Sequence, residues 1–157
     1  MVYRNLTEEE TVVVSFLLRA AKKDDAYISN FISETQCSDM NDGGMGSLHF
    51  MPCGQMIAND DREFGCEMSA CHFTDEDGVL VCVALYADSS GHPFELDVWK
   101  VDFSPLIRMP NDESKLCLDA MHHAADFISE SQLKSGHVSK LVGQSQECRR
   151  HRQGACI

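Results

Sequence analysis

An α+β fold, an antiparallel sheet of about four strands with N-terminal helices and a C-terminal helix packed on one face, is predicted by three features of the 157-residue sequence. Apolar residues recur at helical spacing near the start and again after residue 112. Between those stretches, four segments of strand length alternate or run apolar. The joins within this middle region are short Gly, Asp and Ser turns, which suit hairpin-connected neighbours.

The elements follow in order. In Leu6-Thr7-Glu8-Glu9-Glu10, Thr7 is placed to cap a helix while Glu10 reaches back to the cap, and the three acids suit the positive end of the helix dipole. Val13, Phe16, Leu17 and Ala20 then share a face, and Lys22 and Lys23 close the helix. Asp24 or Asp25 opens a second, shorter helix that pairs Tyr27 with Phe31 and Ile28 with Ile32; its β-branched and aromatic content leaves a strand open as an alternative. Ser38 to Gly46 is turn chemistry, with glycines at 43, 44 and 46. Strands are expected at Ser47–Met51, with Leu48 and Phe50 on one side, and at Gly65–Phe73. The turn Thr74-Asp75-Glu76-Asp77-Gly78 leads into a third at Val79–Ala87, apolar on both faces and so central.

The fourth strand comes from FELDVWKVDFSPL, Phe94 to Leu106. Phe94, Leu96 and Val98 fall on one face and Trp99, Val101 and Phe103 on the other. One extra residue at Val98-Trp99, a β-bulge, brings these apolar residues to a common face and turns Glu95, Asp97, Lys100 and Asp102 outward. A bulge is expected because charge buried without a partner is costly. Pro105 and Pro110 end the sheet. Asn111 or Asp112 is then expected to cap a helix from Glu113 to Lys134 with the stripe Cys117, Met121, Ala124 and Ile128, stopped by Gly136. Residues 1–134 read as a single domain, and 135–157 as a basic tail.

Charge narrows the function. Against 13 basic side chains stand 25 acidic ones, a net charge of −12, which repels phosphate backbones and anionic lipid. Nucleic acid and membrane are therefore not expected as partners. The tail from Ser135 carries Lys140, Arg149, Arg150 and Arg152 against Glu147, a net of +3, which leaves −15 on residues 1–134. Eight cysteines follow an N-terminus with no apolar signal core, so a cytoplasmic protein with reduced thiols is expected.

Several constellations carry residue types suited to chemistry. Asp119, His122, His123 and Asp126 stand three or four residues apart on the expected last helix, a spacing that lets imidazole and carboxylate meet as a base or a metal ligand set. His72 or His49 from the sheet are the available additions. An ordinary solvated helix face has the same composition. For zinc, Cys66 and Cys71 sit at odd spacing on one strand and point to opposite faces, and there is no C-x2-C. Asp39 to Phe50 lacks the twelfth-position glutamate of a calcium loop. The glycines after Asp42 run into a strand rather than a helix, unlike a phosphate cradle. No G-x-S-x-G or H-E-x-x-H occurs, and sequence cannot vouch for any meeting of Cys with His in space. No cofactor is expected.

Glu95, Asp97 and Asp102, with Trp99 as anchor, are the candidate binding residues. An outward row of carboxylates, joined by Asp75, Glu76, Asp77 and Asp88 from neighbouring turns, would steer a basic protein partner; the same charges also serve simply to keep an edge strand soluble.

The segments RNLTEEE, DGGMGSLHF, DEDGVLV with its following DSSG, and FELDVWKVDFSPL together resemble a bacterial domain-of-unknown-function family of small proteins, over about residues 4–108. The resemblance implies no mechanism. In size and charge the chain is also similar to immunity proteins that neutralise bacterial toxins. The expectation is a non-enzymatic binding module, immunity-like, recognising a basic protein. A small metal-dependent hydrolase built on the His/Asp cluster is the alternative, and a self-associating subunit, suggested by Val12–Leu18 and Val79–Ala87, is a third.

Overall fold

A computed structural model describes residues 2–51 and 62–119, all of them within one compact unit, Met1–Asp119. Helix α1 spans Glu8–Ala20 and α2 spans Asp25–Glu34. The expected capping box is present: Thr7 Oγ1 accepts from the Glu10 backbone N–H, and the Glu10 carboxylate accepts from that of Thr7. Asp24 caps α2 by accepting from the Tyr27 N–H, and Tyr27 stacks on Phe31 with ring centroids 6.4 Å apart. The competing strand reading of this segment does not hold.

Six strands are found among the described residues: β1 Gln36–Asp39, β2 Leu48–Met51, β3 Phe64–Thr74, β4 Leu80–Asp88, β5 Pro93–Lys100 and β6 Cys117–Leu118. They form one antiparallel sheet in the order β1-β2-β5-β4-β3-β6. β4 is central, as its apolar character on both faces predicts. The expected strand count of about four omits β1 and β6. β1 begins two residues before the turn-rich run from Ser38 and overlaps its start, and Arg4 bridges its Cys37.

The long C-terminal helix is corrected at its start. Asp112 does cap, accepting from the Ser114 N–H, but the result is a single 3-10 turn, Glu113–Lys115. Cys117 and Leu118 then pair with His72 and Cys71 of β3. Cys117 therefore lies on a strand rather than in a helical stripe. The remainder of that expected helix, and the tail from 135, lie outside the described residues.

The second correction concerns β5. Its register against β4 is unbroken from Tyr86↔Glu95 to Val81↔Lys100, so there is no bulge at Val98-Trp99; the irregularity lies at the strand's start, between Tyr86 and Ala87. Strict alternation puts Phe94, Leu96, Val98 and Lys100 on the core face and Glu95, Asp97 and Trp99 on the other. The strand ends at Lys100. Both helices cover the core face: Val13, Val14, Leu17 and Leu18 of α1 join Leu48, Val83, Leu85 and Leu96 in one cluster, and Phe31 of α2 meets Phe50 edge-on at 5.5 Å. Each such side chain stabilises the fold by about 1.5–3 kcal/mol.

Lys100 is tolerated inside because its charge is fully partnered. Nζ donates to Asp75 Oδ2 at 2.8 Å, Asp77 Oδ2 at 2.5 Å and the Pro105 carbonyl at 3.3 Å. Asp75 also accepts from the backbone N–H groups of Glu76, Ile107 and Arg108. The acidic β3–β4 turn is thus a counter-charge for the end of β5, and it fastens the segment after β5 to the sheet.

Candidate functional site

The sheet face turned away from α1 and α2 carries most of the chemistry. Three cross-strand rows can be read from the register. In one, His72 of β3 opposes Cys82 of β4, which opposes Trp99 of β5. The next is Ala70, Ala84 and Asp97. The third is Glu67, Tyr86 and Glu95, continued by His49 of β2. Two alanines therefore floor a face rimmed by carboxylates, aromatic rings and imidazoles. All of these side chains are half-buried.

Of the predicted binding residues, Glu95, Asp97 and Trp99 share this face, though not for the reason expected: no kink is needed, because the core takes Lys100 and the tryptophan turns away from it. Glu95 is inset rather than projecting, with 14 % of its side chain exposed, and its Oε2 lies 3.9 Å from His49 Nδ1. Asp102 is separated from them. It sits in the turn Lys100-Val101-Asp102-Phe103, closed by the Phe103 N–H donating to the Lys100 carbonyl. Its carboxylate accepts from the Ser104 N–H and Oγ, which hold its pKa below the usual carboxylate range. Lys100, expected outward beside these acids, is the buried exception described above.

Phe103, expected on the core face, lies outside it. It is 58 % exposed, with Ile107 at 55 % and Val101 at 36 %. Its φ of 62° lies in the left-handed region that a bulky side chain rarely adopts. Its ring meets Trp99 edge-on at 5.6 Å. A strained turn, fastened from beneath by Asp75 and Lys100, thus holds an exposed aromatic against the half-buried indole. The dihedral is not a sequence signal. The exposure of Val101 and Phe103 follows once Lys100 is placed inside, because the strand then ends there.

Within the His/Asp cluster, Asp119 is placed and His122, His123 and Asp126 lie outside the described residues. Asp119 Oδ1 is 2.6 Å from His72 Nδ1. A carboxylate can only accept, so Nδ1 carries the proton and Nε2 is the acceptor of the neutral ring. Among the described residues, no group of three or more His, Cys, Asp or Glu side chains has metal-binding geometry. In the calcium-like loop, the Asp42 carboxylate is already filled by the N–H groups of Gly44, Met45 and Ser47. No described helix is long and apolar enough to cross a membrane.

Residues 3–110 match a protein-family model described as a domain of unknown function, DUF6984. No curated protein and no solved structure matches the chain.

Proposed function

From the premise that the chain belongs to the DUF6984 family of unknown function, we propose that it is a non-enzymatic binding module, immunity-like and cytoplasmic, that recognises a basic protein partner. The observation that carries this reading is the junction of Trp99 with the exposed Phe103, flanked by Asp97 on β5 and Asp102 in the turn. Aromatic anchors bordered by charge are what a protein interface concentrates its affinity in. The charge of −15 on residues 1–134 favours a cationic segment and repels an anionic one.

Trp99 is the single tryptophan, so its fluorescence reports on this junction. Titration with an Arg-rich peptide is expected to give a saturable change that weakens as ionic strength rises and is lost in an Asp97→Lys, Asp102→Lys variant. An equal response to a Glu-rich peptide of the same length, or one indifferent to salt and to both substitutions, overturns the reading.

A second reading is favoured by one contact, that of His72 with Asp119. An oriented imidazole is the start of a metal-dependent hydrolase site. Elemental analysis separates the two. Stoichiometric zinc, iron or manganese in the native protein supports the hydrolase, and a metal-free protein that still binds the basic peptide supports the module.

A further inference from the structure

The row His72–Cys82–Trp99 contains a pairing that sequence cannot supply. Cys82 on β4 is the direct register partner of His72 on β3, and the alternation of β4, with Val81 and Val83 buried in the core, puts Cys82 on the His72 face. Directly opposed side chains on one face have their Cβ atoms about 4.5–5.5 Å apart, which leaves thiol and imidazole within reach of each other. On its other side His72 is held through Nδ1 by Asp119. Carboxylate just past the end of β6, imidazole on β3 and thiol on β4 therefore follow one another across the sheet, the order in which an acid orients a base and the base takes a proton from a nucleophile.

We propose that Cys82 is a nucleophilic thiol activated by His72, with Asp119 as the positioning residue, and that the site takes small carbon electrophiles. His72 Nε2 accepts the Cys82 Sγ proton; with iodoacetamide as the electrophile, the thiolate then forms the S–C bond as the C–I bond breaks and iodide leaves with the electron pair. The imidazolium returns the proton to water. Cys117, exposed on β6, is the other direct register partner of His72 and so the competing thiol; three further thiols provide the contrast. Cys71 and Cys37 lie in the core, where burial pushes their pKa values up to about 12 and about 11. Cys66 is exposed near the far end of β3. Cys82 is half-buried, so access alone makes it slower than Cys66, and only activation makes it faster.

The test is the alkylation rate of each cysteine in the intact chain, resolved by peptide mass spectrometry, with Cys66 as the internal reference. At neutral pH, Cys82 is expected to react roughly tenfold faster than Cys66. In His72→Gln the ratio falls to one or below, and the pH midpoint of Cys82 alkylation moves up. The groups facing the site are Cys117 from β6, Asp119 just past its end and Asp97 from β5, so the profile is repeated in Asp97→Asn, where it is expected to keep its shape. Asp119→Asn gives an intermediate ratio with an unchanged circular dichroism spectrum, and it serves as the second variant if His72→Gln does not fold. A Cys82 rate below that of Cys66, or His72-dependent labelling at Cys117 instead, overturns the proposal.

Discussion

Asp75 shows how a single residue decides the fold of this surface. Burial pushes its carboxyl up, but the N–H of Ile107, the Lys100 ammonium and the N–H groups of Glu76 and Arg108 outweigh that and hold its pKa at about 2, against an ordinary 3.8. A depressed carboxyl contributes stability that is present above its unfolded value and lost as pH falls through the folded one. Urea midpoints measured down the acid limb are therefore expected to fall between pH 3.8 and about 2. Asp75→Asn is expected to be less stable at neutral pH and flatter across that window, since Asp77 is then the one carboxylate left to Lys100; an undiminished acid dependence contradicts the assignment. Phe103 is the complementary case. Phe103→Gly removes the left-handed strain and the exposed ring together, and is expected to keep the fold while weakening basic-peptide binding.

At the scale of the element, much was legible where a local rule carried the information. Thr7 and Glu10 announced α1, and the alternation of Leu48 and Phe50 announced β2. β5 shows why the rest was not. The rule against buried charge argued for a bulge beside Trp99, but it holds only for charge without a partner, and the partners of Lys100 come from the β3–β4 turn, 23 and 25 residues earlier. β6 was hidden for a similar reason, since a two-residue strand exists only through its pairing with His72 and Cys71. Arg62 is another long-range tie: it donates from Nε to Asp88 at 2.9 Å and to the carbonyls of Phe50 and Pro93 at 2.8 Å each, joining β2, β4 and β5. Arg62→Met is expected to lower stability in urea by about 3–5 kcal/mol, because it strips a buried carboxylate of its cation. Gly65 is required by close approach, as a Cβ there falls 2.2 Å from the Asp88 carbonyl oxygen. Gly65→Ala is expected to cost about 1–3 kcal/mol by the same measurement.

For the whole molecule, the division of labour between the sheet faces is the organising fact. One face, with α1 and α2, holds the apolar core; the other gathers Glu95, Asp97, Trp99, His49 and the His72–Asp119 pair. Three of the four residues singled out from sequence share that second face because the alternation in FELDVWK is real; Asp102 does not, because the strand stops before it. The acidic character of residues 1–134 was plain from composition, whereas the aromatic junction with Phe103 depends on a backbone dihedral that composition does not encode. The most direct test of this account is amide chemical-shift mapping during titration with an Arg-rich peptide. Perturbations are expected to concentrate on Asp97, Trp99, Asp102 and Phe103 and their β4 neighbours, with the Trp99 indole N–H among the largest. Shifts confined to the outer surfaces of α1 and α2, or none at concentrations where a Glu-rich control is equally silent, contradict it.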